Sequence, residues 1–112
     1  PKIFHVNWCR TDKDGKFLWP GYGENLRVLE WILARCRGEA GARKTPIGYI
    51  PRPQDIDMTG IELNKSAINK LLSVDHSDWK EELALQKEFF DKLGGRLPKE
   101  ILEEYEALQK RL

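Results

Sequence analysis

Apolar and polar residues alternate at the start of the chain, as they do in a strand with one buried face. Over residues 3–9 the alternation places Phe4, Val6 and Trp8 on one side, because successive side chains of a strand point to opposite faces. A strand is therefore predicted here. Such a stripe is more typical of core residues than of a binding surface. Trp8 is therefore interpreted first as a core residue, and a binding role stays open as the alternative.

A turn followed by a second strand is predicted next. Asp14 and Gly15 form a pair that favours a tight turn, since glycine tolerates the positive φ of hairpin turns. Residues 16–19 then return as a strand, with Phe17 and Trp19 pointing to the same side. The opening pattern thus predicts an N-terminal β-hairpin.

A glycine-rich loop and a helix are predicted after the hairpin. Pro20 ends the strand because it lacks a backbone donor, and the loop over residues 19–25 contains two glycines. Apolar residues then recur at the spacing of one helical face over residues 25–37, and Gly38 is a natural stop. That face consists of Leu29, Ile32, Leu33 and Cys36.

The second half of the chain is predicted to be helical. Residues 38–44 and 51–60 have loop composition, and residues 45–51 form an apolar segment bracketed by prolines, which predicts a short extended segment or edge strand. Three helices follow. Their predicted start signals are Asn64, then Asp75 or Ser77, then Pro98; their predicted inward residues are Ile68, Leu71, Leu72, Trp79, Leu83, Phe90, Leu93, Ile101, Tyr105, Leu108 and Leu112.

Composition and charge narrow the class of protein. The 112 residues include enough apolar side chains for a globular core, and no apolar run approaches the roughly 18 residues of a membrane span. Residues 1–54 carry ten Lys and Arg against five Asp and Glu, whereas residues 55–112 carry nine against thirteen. A basic, aromatic first part and an acidic second part suggest different tasks.

Common catalytic and metal-binding patterns are missing from the sequence. His5 and His76 have no partners at ligand spacing, and no sequence of the P-loop type, GxxxxGK[ST], follows the glycine pair. Cys9 and Cys36 have no CxxC spacing and are interpreted as small buried residues in a reducing compartment. The sequence by itself therefore shows no catalytic apparatus.

An aromatic cluster is the best remaining candidate for a binding site. Trp8, Phe17, Trp19 and Tyr22 lie near Asn25 in the sequence. Aromatic faces can stack on a nucleobase, and an amide can read the edge of the base. The alternative is structural: the rings form core, and Asn25 caps the helix that begins there.

Five runs of residues resemble GTP-dependent phosphoenolpyruvate carboxykinase. These runs are Phe4–Trp8, Asp14–Asn25, Arg27–Trp31, Thr45–Pro51 and Glu106–Leu112. Because several long runs occur in the right order, the resemblance is specific, and it is tightest over residues 1–51. It implies that the chain is the C-terminal segment of a larger α/β nucleotide-binding enzyme. The elements predicted above give an α+β fold class, with an N-terminal β-hairpin, a glycine-rich loop and about four helices.

The resemblance also implies a function. That family is a decarboxylating lyase of gluconeogenesis, which converts oxaloacetate and GTP to phosphoenolpyruvate, GDP and CO2 with a divalent metal, manganese or magnesium. Its metal ligands and catalytic residues are expected outside this segment. Residues 1–54 are expected to supply the guanine-binding part and residues 55–112 a helical part that packs on the rest of the enzyme. By resemblance, the guanine-binding residues are Trp8, Phe17, Gly21, Tyr22, Gly23, Glu24 and Asn25.

Two residues depart from the pattern of the family. Tyr22 and Cys9 each stand where many members have phenylalanine. The ring of Tyr22 can still stack on a base. Cys9 is expected to leave the pocket looser on its side.

Further expectations concern partners. The parent enzyme is expected to be a cytoplasmic monomer that does not bind membranes. Binding of nucleic acid is not expected either, because the basic residues are scattered. The isolated segment is expected to be inactive. The alternative function is a non-catalytic helical interaction module, formed by the acidic amphipathic helices of residues 61–112.

Overall fold

The computed structural model describes all residues, 1–112, and confirms the α+β class. Helix α1 spans Asn25–Arg37, α2 Lys65–Leu71, α3 His76–Leu93 and α4 Lys99–Arg111. Strands β1, Arg43–Thr45, and β2, Gly48–Ile50, pair in a two-stranded sheet. Single 3-10 turns occupy Tyr22–Glu24, Pro53–Asp55 and Gly94–Arg96.

The chain divides into two compact units. The first unit comprises residues 1–44 and 49–73, and the second comprises residues 45–48 and 74–112. The predicted guanine-binding residues all belong to the first unit. None of the helices combines the length and the apolar character needed to cross a bilayer.

The predicted N-terminal hairpin is reduced to a turn. Thr11 and Phe17 form one isolated antiparallel bridge, and residues 3–9 and 16–19 contain no strand. Local side-chain bonds explain the difference, because they compete with a strand ladder. The Asn7 carboxamide accepts from the Cys9 amide at 2.8 Å, and the Asp12 carboxylate accepts from two amides within the turn. The prediction of two strands is therefore wrong, while the turn is present, with Gly15 at φ 79°.

Helix α1 has the predicted bounds but buries a different face. Gly38 ends it in the left-handed conformation, φ 80°, and its amide donates to the Ala34 and Arg35 carbonyls. Trp31 is the buried residue of the helix, and its indole donates to the Gly41 carbonyl at 3.1 Å. The predicted inward residues Leu29 and Leu33 are exposed. Periodicity located the helix correctly and misassigned its contacts, because the packing partner of a helix is not encoded in its own period.

The segment with flanking prolines forms half of the small sheet. Strand β2 lies inside the predicted extended segment of residues 45–51, but its partner β1 lies partly in the predicted loop of residues 38–44. The Thr45 hydroxyl donates to the Gly48 carbonyl at 2.7 Å, and Gly48 has φ 117°. Strand β1 has only three residues, all of them polar, so apolar alternation does not reveal this hairpin.

The first unit is tied together by arginine side chains that donate to backbone carbonyls. Arg10 donates to the carbonyls of Leu71 and Ser73 at 3.1 and 2.7 Å, and to the Ser73 hydroxyl at 3.0 Å. Arg43 donates to the Leu72 carbonyl at 2.8 Å. These bonds occupy carbonyl groups at the end of α2, which a helix terminus leaves without partners.

The caps of α2 and α3 are those the sequence predicts. The Asn64 side chain accepts from the Ala67 amide at 2.7 Å, and the Asp75 side chain accepts from the Ser77 amide at 2.8 Å. Pro98 directly precedes α4 rather than lying within its first turn, and its carbonyl accepts from the Ile101 amide at 3.1 Å.

Helices α3 and α4 pack around Leu83 and Tyr105 in the second unit. Leu83 is buried, and the Tyr105 hydroxyl donates to its carbonyl at 3.2 Å. The rings of Phe90 and Tyr105 meet edge to face, with centroids 5.7 Å apart. The predicted inward position of Ile101 is wrong, since its side chain is exposed.

Replacing Arg10 by alanine should loosen the end of α2. The substitution leaves two carbonyls and a hydroxyl without their cationic donor, and hydrogen bonds to charged groups contribute about 1.5–3 kcal/mol each. In the full-length protein, amide hydrogen exchange of residues 70–74 should accelerate at least about tenfold. Arg96→Ala, which removes an exposed arginine outside the hydrogen-bond network, is the control. Equal protection in both variants would contradict the role of Arg10.

The ion pair between Arg52 and Asp55 should make its loop sensitive to acid. Arg52 holds the Asp55 carboxylate at 2.8 and 2.9 Å, and this hydrogen bonding lowers the pKa of Asp55 against the opposing effect of burial. A lowered folded-state pKa stabilises the fold above the unfolded pKa of about 3.9, and the stabilisation is lost as the pH falls through the folded value. In Arg52→Met, the carboxyl carbon of Asp55 should titrate at higher pH by NMR. Arg37→Met, which breaks the exposed pair with Glu39, should leave that midpoint in place; a common shift refutes the assignment.

Candidate purine-binding site

Two tryptophans form the floor of the candidate site. The turn at Asp12 reverses the chain, and the Leu18 amide donates to the Arg10 carbonyl at 2.9 Å. The reversal brings the ring of Trp19 against that of Trp8, with centroids 5.7 Å apart and planes tilted by 44°. Trp19 is only 8% exposed. The packing of these two rings anchors the irregular opening segment.

Asn25 is bound to this floor by its side chain. Its carboxamide oxygen accepts from the Trp19 indole nitrogen at 2.8 Å, and its backbone amide donates to the Tyr22 carbonyl. The interpretation of Asn25 as a helix cap is wrong. Glu24 occupies the cap position of α1, without a side-chain cap bond, and Asn25 is the first residue of the helix.

The glycine bend joins Trp19 to α1. Gly21 has φ 135°, a conformation that L side chains rarely adopt. Its carbonyl accepts from the Glu24 amide at 3.1 Å, closing the 3-10 turn over Tyr22–Glu24. A methyl group built on Gly21 or Gly23 would meet no atom within 4 Å, so the space beside both glycines is open.

The two candidate stacking rings stand in solvent. Phe17 is 62% exposed and Tyr22 is 92% exposed. The structure shows no ring contact between them. The prediction that Phe17 and Trp19 point to the same side is wrong, because residues 17–19 do not form the strand on which it depends and Trp19 is buried.

Glu24 is committed to an ion pair. Its carboxylate accepts from the Arg27 guanidinium at 2.6 Å. Arg27 also donates to the carbonyls of Asp57 and Thr59 at 2.7 and 2.9 Å. These contacts anchor the start of α1 to residues 57–59.

The cysteines differ from their predicted environment. Cys9 follows Trp8 in the sequence and is exposed, and Cys36 is exposed as well. The interpretation of both as buried residues is wrong. For Cys9, the exposure follows from the bend that the Asn7 side chain imposes on the segment.

A metal site is not assembled in this chain. No group of three or more His, Cys, Asp or Glu side chains is arranged to hold an ion. The residues of this chain therefore offer no ligand set for the divalent metal of the family.

The sequence predicts Trp19 as part of the aromatic cluster. It does not predict the contact of Trp19 with Asn25. The hydrogen bond between them depends on the bend at Gly21, and residue spacing alone does not show it.

Comparison with known proteins places the chain in a family. A family model described as the phosphoenolpyruvate carboxykinase C-terminal P-loop domain matches residues 1–111. The chain is 46% identical over 112 residues to a phosphoenolpyruvate carboxykinase [GTP] of Anaeromyxobacter dehalogenans. It is 45% identical over 113 residues to the enzyme of that name from Chlamydia muridarum. In both comparisons the whole chain is covered, together with 19% of the relative.

These matches define the chain as a C-terminal part of a carboxykinase. The chain belongs to the family of GTP-dependent phosphoenolpyruvate carboxykinases, and the resemblance of its five runs is confirmed. It spans about a fifth of the length of the curated relatives it matches.

The two glycines of the bend should respond differently to alanine. At Gly21 a side chain is strained by the backbone at φ 135°, whereas Gly23 has open space and no such φ. Gly21→Ala should destabilise the 3-10 turn by about 1–2 kcal/mol. This loss of stability should increase the amide exchange rates of Glu24 and Asn25 about tenfold. Gly23→Ala serves as the matched variant, and a larger effect there than at Gly21 would refute this account of the bend.

Proposed function

We propose that this chain is the guanine-recognition part of a GTP-dependent phosphoenolpyruvate carboxykinase. The whole enzyme converts oxaloacetate and GTP to phosphoenolpyruvate, GDP and CO2. The observation that carries the proposal is the position of Asn25, which is fixed by Trp19 at the end of a bend that bears the exposed ring of Tyr22. The family membership of the chain supports it.

Stacking explains the exposed rings. Large apolar side chains that stand exposed are informative because they can mark a binding surface. Phe17 and Tyr22 are both exposed, and a base stacked on an aromatic side chain gains about 1–3 kcal/mol. The open space beside Gly21 and Gly23 allows a flat ring to approach the backbone.

Energetics limit what this part does alone. A good edge contact adds about 1–3 kcal/mol to stacking, while association costs an estimated 4–15 kcal/mol. The base contacts therefore supply selectivity, and the phosphate contacts needed for tight binding come from elsewhere in the enzyme. The isolated chain is expected to bind nucleotide weakly and to be inactive.

In this proposal the divalent metal, manganese or magnesium, acts in another part of the enzyme. Its ligands are expected in the remainder of the parent enzyme. A cytoplasmic location and a monomeric parent stay predictions.

A helical interaction module is the second candidate function. Leu85 and Phe89 on α3 and Leu102 on α4 are exposed, and such side chains could contact another protein surface. In the carboxykinase proposal they pack on the remainder of the enzyme.

Removing the ring of Phe17 should weaken guanine nucleotides selectively. In the full-length enzyme, Phe17→Ala should raise the dissociation constants of GTP and GDP about tenfold, since one stacking contact is lost. The KM for oxaloacetate should not change. Phe89→Ala removes a ring of similar exposure, 58% against 62%, and should leave nucleotide binding as it is. The proposal is refuted if Phe17→Ala changes only the KM for oxaloacetate, or if both variants weaken nucleotide binding equally. If instead Phe89→Ala alone loses binding to another protein, the interaction module is favoured.

A further inference from the structure

We propose that Trp19 is a positioning residue that sets which atom of Asn25 faces a bound base. Its indole holds the carboxamide oxygen and leaves the amide nitrogen as the recognising atom. The site thereby selects purines with a carbonyl at C6 over purines with an amino group there. This inference rests on the proposed function, since it assumes that a purine binds beside Asn25.

The chemistry of the indole fixes the orientation of the amide. An indole N–H can only donate a hydrogen bond, whereas a carboxamide has an acceptor oxygen and a donor nitrogen. The atom of Asn25 that lies 2.8 Å from the Trp19 nitrogen must therefore be the oxygen. Turning the amide over would set two donors against each other and leave a buried indole N–H without an acceptor.

Both partners are held in place. Trp19 is buried against the ring of Trp8. Asn25 is the first residue of α1, and its backbone amide is bound to the Tyr22 carbonyl. Moving the amide away from the indole would leave the Trp19 N–H without its acceptor.

The amide nitrogen of Asn25 is available to a ligand. It makes no hydrogen bond within the chain, and no buried side-chain nitrogen or oxygen lacks a partner. The Asn25 nitrogen therefore reaches solvent. It offers donors only, in contrast to a freely turning carboxamide, which can offer a donor or an acceptor.

A donor at this point distinguishes the two classes of purine. Guanine carries an acceptor oxygen at C6, whereas adenine carries an amino donor. Hypoxanthine shares the C6 oxygen of guanine and lacks the 2-amino group. Recognition through the Asn25 nitrogen therefore favours guanine and hypoxanthine alike, and it rejects adenine because two donors are left facing each other.

Trp19→Phe in the full-length enzyme tests the inference directly. This variant keeps a buried ring and removes the N–H, so the amide of Asn25 can turn and accept from adenine. The preference for GTP over ATP, measured as the ratio of dissociation constants, should fall about tenfold, which corresponds to one unpaired buried group. ITP should follow GTP in the wild type and in the variant.

Trp31→Phe is the matched control. Trp31 is also buried in the first unit, and its indole also donates to an oxygen, the Gly41 carbonyl, at 3.1 Å. It does not bind Asn25. Its replacement should therefore preserve the preference for GTP over ATP, and an equal loss in both variants would overturn the inference in favour of a general effect of lost indole bonds.

Asn25→Asp gives a second measurement that retains Trp19. One carboxylate oxygen can accept from the indole, and the other then presents an acceptor where the amide nitrogen had presented donors. The preference should shift toward ATP by about tenfold or more. Retention of the wild-type preference in Asn25→Asp would overturn the inference, even if Trp19→Phe fails to fold.

The outcomes separate this inference from the proposed function. A wild-type enzyme that binds GTP, ITP and ATP equally would refute both. A wild-type enzyme that prefers GTP, with the full preference kept in a folded Trp19→Phe variant, would overturn the role of Trp19 and leave the guanine site standing.

Discussion

Hydrogen bonds from arginine side chains to backbone carbonyls stabilise much of the irregular structure in the first unit. The hydrophobic residues that are buried number five in the whole chain, Trp19, Trp31, Ile56, Ile68 and Leu83. A core of that size leaves many irregular segments without apolar contacts. Arg10, Arg27 and Arg43 reach across 61, 30 and 29 residues of sequence, respectively, to carbonyls at the ends of turns and helices. A guanidinium suits this task because its five donors are held in a fixed fork.

The candidate site depends on the same kind of constraint. Trp19 supplies a single donor, Asn25 receives it, and the bend at Gly21 brings the two together. The exposed rings of Phe17 and Tyr22 therefore belong to a segment that is anchored by the contact of Trp19 with Asn25. Packing and polar satisfaction thus act together, since the ring of Trp19 is buried only where its N–H has an acceptor.

Local signals in the sequence predicted local structure well. The bounds of α1 and the caps at Asn64 and Asp75 follow from side chains within a few residues of the helix ends. The strand over residues 3–9 was predicted from alternation alone and is absent, because a strand needs a partner and Asn7 bends the segment instead. The buried face of α1 likewise depends on Gly41 and its neighbours, which lie outside the helix. For the candidate site, residue types and the resemblance indicated the relevant segment, while the contact of Trp19 with Asn25 required coordinates.

The leucines of α1 impose a further condition on the protein. Leu26, Leu29 and Leu33 lie at helical spacing and are exposed, so they form an apolar strip along the outside of the helix. Water wets such a strip poorly, and strips of this kind adhere to one another when proteins are crowded. At high concentration this strip therefore favours association of α1 with other apolar surfaces.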